Sequence, residues 1–573
     1  MLKRFFFLVA TLTPAVLVAQ TAPPVIVAQP DTKLPLTHVP QPTVPDITAA
    51  DLMTRLYIYA ADSMQGREAG TIGDVKATDY IAAEVKRMGL VPAGENGTYF
   101  QTIPLMTRQV DTASTIIAGG KTLAYGTDWN ASGSASLSRN DVPVIFGGPV
   151  DEAMVGGLRP AQMDGKFVVY GPPRGVVSYR IYRAAARMAP NAAAVGIVSA
   201  EHTLGYLTRS RVFMNDPQGV VVTPTRPTIY LTAASAATLF TAPLDQLTAG
   251  AAGKTAAMDV RIAVRPIQSP ARNVVAILPG SDPALKGEYV AIGAHNDHIG
   301  FDHSPVDHDS LRIFNHIVRP GGAEDGRVQA TARQLAEVNE ELAAWRRRHP
   351  HAARPDSIDN GADDDGSGTV SALEIAEKLA ALRPGPKRSI LFVWHTGEEK
   401  GMLGSEYFTD HPTVSRDSIV AQLNMDMVGR GDAWDVTGHT IAGAPLHGNP
   451  NYLQLVGSRR LSTELGNLIE AANRDDEHGF VFDYSLDANG HPANIYCRSD
   501  HYEYARWGIP ITFFTTGVHS DYHQVTDEPE YIDYDHMARV ARLVEDVAQH
   551  VADLDHRVVV DHPKPDPHGS CRQ

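Results

Sequence analysis

Cysteine is almost absent from this chain: 573 residues carry two, Cys497 and Cys571. Two thiols make no disulfide framework, and Cys571 lies in a Pro/Asp/His-rich tail, so no structural bridge is expected. Net positive charge is also missing. The formal balance is −16, which argues against a nucleic-acid partner and favours cationic ligands. No internal repeat is visible. No G-x-S-x-G elbow fits either, since Ser367 lies in "DGSG", and this excludes the usual serine-hydrolase arrangement. A bilayer-length apolar run is lacking: the opening "MLKRFFFLVATLTPAVLVA" holds roughly a dozen apolar residues, short of the ~20 that span a membrane. Two cations, that short run and a small residue at Ala19 read instead as a secretory signal peptide, 1–19. The expectation is a secreted or periplasmic protein without a stable membrane anchor.

What is present suffices for a large core. Hydrophobic residues make up 43% of the chain, and the length suits two or three domains. Residues 20–46 are rich in proline without apolar periodicity and read as a linker. Ile47–Gly89 looks helical, with "ATDYIAAEVKRMGL" its clearest amphipathic stretch. From 110 to 269 short Val/Ile/Thr runs alternate with Gly and Pro ("DVPVIFGGPV", "GKFVVYGPP"), the texture of a small β-rich domain. A helix leading into a strand is expected there, in "RIYRAAARMAPNAAAVGIVSA". From 270 onward strands, loops and helices alternate, which predicts an α/β, doubly wound, mostly parallel sheet. A charged insert, 302–359, interrupts the alternation with a helix-like "RVQATARQLAEVNEELAAWRRR". Long connections of this kind serve as lids or interface elements, so it is expected to cover a site or join copies into an oligomer. Its opening "DHSPVDHDS" reads as a solvated loop, and residues 557–573 as a disordered tail.

Four apolar runs, "EYVAIGA", "SILFVW", "SIVAQLNM" and "PITFFTT", are each followed by groups that bind metals. After the first come His295 and Asp297, after the second Glu398 and Glu399, after the third Asp426, and after the fourth His519 and His523. Open α/β sheets bind ligands beyond the carboxyl ends of their strands, so these residues are sent to one edge. A fifth contributor, "GADDDGSGT", precedes a helix whose Val370, Leu373, Ala376, Leu379 and Ala380 would face the core at helical spacing. Taken singly, such acids also serve as helix caps and dipole complements. It is their coincidence at strand ends and one helix start that points to a metal site. Imidazole and carboxylate donors suit zinc, and also manganese or cobalt.

Together these motifs resemble the secreted co-catalytic dizinc aminopeptidase family, of bacterial leucyl aminopeptidase, glutamate carboxypeptidase and transferrin receptor type. The resemblance runs from Ala271 to about Ala552, with "DSMQGREAGT" as an N-terminal portion. It implies a zinc-exopeptidase domain built from 47–109 and 270–556, with 110–269 as an inserted protease-associated (PA) domain. It further implies two Zn2+ ions: His295 and Asp426 on one, Glu399 and His523 on the other, and Asp364 bridging them. Asp297 would accept the second ring N–H of His295, and Glu398 would be the general base. The Asp364–Asp365 peptide is expected to be cis. In "RSDHYEY", Asp500 and His501 would orient neighbours, and His519 would be a loop residue.

The implied function is hydrolysis of N-terminal residues from peptides. Three carboxylates and a hydroxide shared by the metals would balance two divalent ions, with Glu398 shuttling the proton. Adjacent side chains on an extended strand end point apart, so Glu399 would turn to a metal and Glu398 to the water. Other readings stay open. A carboxypeptidase or dipeptidase of the same fold would need a basic receiver for the substrate carboxylate, for which Arg430 and Arg498 are candidates. A glutaminyl-cyclase-like enzyme normally uses one zinc, and a non-catalytic, receptor-like binding protein would have lost ligands or the base.

Overall fold

Strands made of unbroken apolar residues must be covered on both faces, and the centre of this molecule is built that way. The computed structural model describes residues 34–149, 158–172, 189–199, 210–218, 225–326, 328–350 and 353–573. Six strands of its nine-stranded sheet position the site: β1 (Ala271–Leu278), β2 (Tyr289–His295), β3 (Ser389–His395), β4 (Ile419–Met425), β5 (Tyr452–Val456) and β6 (Ile511–Thr515). In space they run β1-β3-β2-β4-β6-β5. The four expected motif strands, β3, β2, β4 and β6, are mutually parallel. Their outer neighbours β1 and β5 run antiparallel to them, so the parallel character is concentrated where the site lies.

Side chains alternate between two cores, as strand geometry demands. Val290, Ile292, Phe392 and Trp394 enter the larger one, while Ala291, Leu391 and Val393 enter the one on the opposite face. Each fully buried aliphatic or aromatic side chain contributes roughly 1.5–3 kcal/mol. The larger core is closed by α1 (Ala49–Tyr59), α2 (Ile72–Arg87), α5 (Gly368–Ala381) and α6 (Tyr534–Asp553), and the insert supplies the intervening α3 (His308–Val318) and α4 (Ala332–Arg348). On α5, Val370, Leu373, Ala376 and Leu379 face the core as their spacing predicts. Arg55 of α1 ties the N-terminal segment to α5 through Glu374 and Glu377. No helix among the described residues is long and apolar enough to cross a membrane.

The β-rich region has cores of its own. An eight-stranded sheet gathers Trp129, Phe146 and Phe167, and a three-stranded ladder of Leu105–Val110, Arg211–Met214 and Ile262–Pro266 stands beside it. The strand Ala194–Val198 forms as expected. The helix expected just before it, like the signal peptide 1–19, lies outside the described residues.

Three expectations are corrected. Cys497 and Cys571 form a disulfide. The tail 557–573 is not disordered but folds back: Gln573 accepts from the Gly490 N–H and donates to Leu486, which carries Cys571 to its partner. The start of the insert is a solvated loop only in part: Asp302, Ser304 and Pro305 are exposed, but the residues on either side of them are paired or buried. Gly300–Asp307 pairs with Pro355–Asp359, and His308 is buried between Asp356 and Tyr531.

Candidate metal centre

The parallel strands deliver their C-terminal ends to one edge, and the ligand candidates converge there. Nε2 of His295, at the end of β2, lies 3.1 Å from Asp364 Oδ1 and 3.8 Å from Asp426 Oδ1. Nε2 of His523 lies 2.9 Å from Asp364 Oδ2 and 3.0 Å from Glu399 Oε2. Each oxygen of Asp364 therefore faces a different histidine. All five expected ligands are brought together, with Asp364 in the middle.

Three consecutive acids precede α5, and the backbone decides which of them is free. Asp363 Oδ1 accepts the Gly429 N–H at 2.7 Å. Asp365 accepts from the N–H groups of His295 and Gly368, at 2.9 and 3.0 Å, which joins the end of β2 to the start of α5. Asp364 turns to the histidines instead, and its own N–H is held by Asp527 at 3.1 Å. The Asp364–Asp365 peptide is cis, as expected. Burial opposes ionisation of Asp364, but hydrogen bonding from His295 and His523 outweighs it and holds the carboxyl well below its usual range.

Glu398 and Glu399 part company for a different reason from the one strand geometry suggests. They stand in a turn beyond β3, not on the pleat: the Gly401 and Met402 N–H groups both bond to the Glu398 carbonyl. Glu398 lines a cavity of about 280 Å³ with Asp364 and Asp426, whereas Glu399 and His523 line a second cavity of about 880 Å³. Their acidities separate too. Burial pushes the Glu398 carboxyl well up, with Glu399 adding repulsion. Burial acts the same way on Glu399, but His523 and His298 overcome it and bring that carboxyl down to about 2.

Asp297 also differs from expectation. Its carboxylate is 3.8 Å from His295 Nδ1, and the main-chain carbonyl of Asp297 accepts that ring N–H at 3.0 Å. The carboxylate takes the Glu398 N–H at 3.0 Å instead, so it fixes the turn that carries the two glutamates. Asp426 is braced by the Ser499 hydroxyl at 2.7 Å. His501 stacks on Phe513, and Asp500 lies 3.5 Å from His395. His519 is a loop residue but fully buried, 3.2 Å from Asp363.

Sequence reasoning missed one member of the cluster. Nδ1 of the fully buried His298 lies 2.8 Å from Glu399 Oε1. The signal was available in "HNDH", a second histidine three residues after the first. Among the described residues three sets of donors fall within ion-binding reach: His298, Asp364, Glu399 and His523; His295, Asp365 and Asp426; and, more exposed, Asp476, His478 and Asp546. In the second set Asp365 is already committed to backbone N–H groups. Nitrogen and oxygen donors this close fit zinc.

The smaller cavity is walled by Met427, Leu486, Ile495, Phe513 and Val518. The insert adds Glu324 and Asp325 to its lining, and the Ala323 N–H docks on the Tyr522 carbonyl at 3.1 Å, next to His523. Arg430 is buried between Asp435 and Asp521, at 3.0 and 2.9 Å. Arg498 pairs with Glu324.

Residues 273–548 match the model of Peptidase family M28. The chain is 31% identical over 195 residues to leucine aminopeptidase 1 of Coccidioides posadasii, a match covering 32% of this chain and 44% of that protein. The chain thus spans less than half the length of the curated relatives it matches. Among solved structures it is similar to an aminopeptidase from Aneurinibacillus sp. strain AM-1, at 17% identity with 91% and 97% of the two chains covered and a TM-score of 0.48. A zinc aminopeptidase from Bacillus subtilis aligns at 18% identity over 88% and 95%, also with a TM-score of 0.48.

Proposed function

Through residues 273–548 the chain belongs to peptidase family M28, and from that premise we propose that it is a secreted dizinc aminopeptidase. The observation that carries this is the convergence of His295, Asp364, Glu399, Asp426 and His523, with Glu398 turned away from Glu399 into an apolar cavity. His295 and Asp426 would hold one ion and Glu399 and His523 the other, with Asp364 shared between them. When bound, the zinc pair supplies Lewis acidity toward the scissile carbonyl and toward water.

The remaining work belongs to side chains. Glu398 takes the proton of the attacking water and returns it to the nitrogen of the departing amine. Asp297, through the Glu398 N–H, holds the turn that aims this carboxylate. The 280 Å³ cavity receives an apolar side chain at the substrate's first position, in keeping with the resemblance to leucine aminopeptidase. The substrate's ammonium group would meet Asp325 and Asp426, which line the same cavity. The rival carboxypeptidase needs a cation that can receive a carboxylate, and both Arg430 and Arg498 already face acids. Region 110–269 is read as the PA domain, and the insert 302–359 as a wall of the substrate pocket.

A panel of aminoacyl chromogenic substrates, set against N-blocked and carboxyl-terminal substrates with and without chelator, tests the reading. The expected result is cleavage of free-amine substrates with apolar first residues, abolished by chelation and restored by zinc. Equal cleavage of N-blocked substrates, or activity that survives thorough chelation, would overturn it.

A further inference from the structure

We propose that His298 is a direct ligand of the ion held by Glu399 and His523, which would give that ion two imidazoles and two carboxylates. The inference rests on the dizinc reading above and adds a residue to it. At the end of β2 the chain turns sharply. His295 faces Asp364 and Asp426, while the His298 N–H bonds to the Arg67 carbonyl at 3.2 Å and its ring is sent to the other side. There Nδ1 lies 2.8 Å from Glu399 Oε1 and 3.8 Å from Asp364 Oδ2, and the ring centroid is 5.5 Å from that of His523.

The 2.8 Å contact has the length of a hydrogen bond but not its direction. Neither His298 Nδ1 nor Glu399 Oε1 has a hydrogen-bond partner of acceptable geometry, and His298 Nε2 has none either. A fully buried imidazole with both nitrogens unmatched is costly, and protein interiors rarely tolerate it. Coordination removes the cost at Nδ1. Nitrogen and oxygen atoms bound to one zinc at ~2.0–2.2 Å stand roughly 2.8–3.6 Å apart at angles between square and tetrahedral, a range whose lower end meets the separation seen.

Room for the ring is built in at a second place. Gly361 has φ +56°, and a Cβ there would lie 2.6 Å from His298 Cγ and Cδ2 and 2.2 Å from the Asp364 carbonyl. Arg67 holds the Gly361 carbonyl at 2.9 Å and bonds to that of Asn360 as well. The "QGREAG" segment therefore grips both sides of the imidazole: the Arg67 main chain holds His298, and its guanidinium holds the glycine the ring rests on.

X-ray absorption on the zinc-loaded wild-type protein decides the question without any variant: it should count three imidazoles shared by two ions, rather than two. Zinc titration against a competing chelator should show that His298→Ala weakens one site and spares the other. The loss should exceed the ~10–100-fold that removing an outer hydrogen-bond partner costs. His298→Asn, which keeps a polar group of similar reach, should not restore it. Unchanged affinity, or a 10–100-fold loss with only two imidazoles in the wild type, would make His298 a positioning residue and overturn the proposal. Wild-type protein that takes up no second ion would instead defeat the dizinc reading itself, an outcome the wild-type titration separates from the rest.

Discussion

The two cavities that flank the ligand cluster differ in size and in character. One, about 280 Å³, is lined by Leu486, Ile495 and Phe513 and contains Glu398. The other, about 880 Å³, is lined by Glu68, Arg108, Arg211 and Lys400 and contains Glu399 and His523. Two adjacent acids thus work in unlike surroundings. In the first, burial pushes the Glu398 carboxyl up; in the second, His523 and His298 overcome burial and bring the Glu399 carboxyl down. Under the proposed function, the apolar side would receive one side chain and the larger, polar side the rest of a peptide.

Removing the acid from the apolar side should have the largest effect. Glu398→Gln is expected to lower kcat by ~10²–10⁴-fold while zinc content, measured by elemental analysis, stays at the wild-type level. Loss of zinc from this variant would place Glu398 among the ligands and erase the contrast. The next effect concerns the wall of the same cavity. Ile495 and Arg498 bracket Cys497, whose disulfide to Cys571 closes a loop with a sequence separation of 74. Replacing both cysteines with serine should cost about 4 kcal/mol of stability by loop entropy, read by denaturant unfolding. It should also raise KM for apolar aminoacyl substrates more than the affinity for zinc changes.

Filling the apolar cavity is a finer probe. Val518→Trp should shift the ratio of kcat/KM for leucyl over alanyl substrates downward by ~10–100-fold, the range that a few methylenes command in a pocket. A ratio that does not move would show that the first side chain binds elsewhere. The smallest effect belongs to the polar side. Arg108 and Arg211 are cross-strand neighbours there. Replacing both with alanine should reduce kcat/KM about fivefold for short peptides with a free carboxylate, but not for their amides, in line with the ~1 kcal/mol of a solvated charge pair.

Much of the site was legible because strands announce themselves locally. The four apolar runs became β2, β3, β4 and β6 with ends within a residue or two of expectation, and the candidate donors beyond those ends, His295, Glu399, Asp426 and His523, converge. Choosing Asp364 from three acids needed the family resemblance. The structure supplies the cause, since Gly429, His295 and Gly368 occupy its neighbours. His298 was overlooked although it stands in the same motif, because nothing local shows that Arg67, 231 positions earlier, turns its ring inward. The disulfide and the ordered tail were missed for the same reason. Two isolated cysteines carry no signal until the tail is known to return to Leu486 and Gly490.

The amino-acid order by itself determined which donors are present and that they gather at one sheet edge. Apolar runs are buried wherever they occur, and parallel strands necessarily share a direction. Tertiary structure decided where each donor points: Asp364 toward the histidines, Glu398 away from Glu399, and the Asp297 carboxylate to a backbone N–H rather than to an imidazole. Those directions are set by hydrogen bonds to the Asp527 carboxylate, from the Arg67 guanidinium and within the turn at Gly401, partners that only the folded chain brings within 3 Å or so.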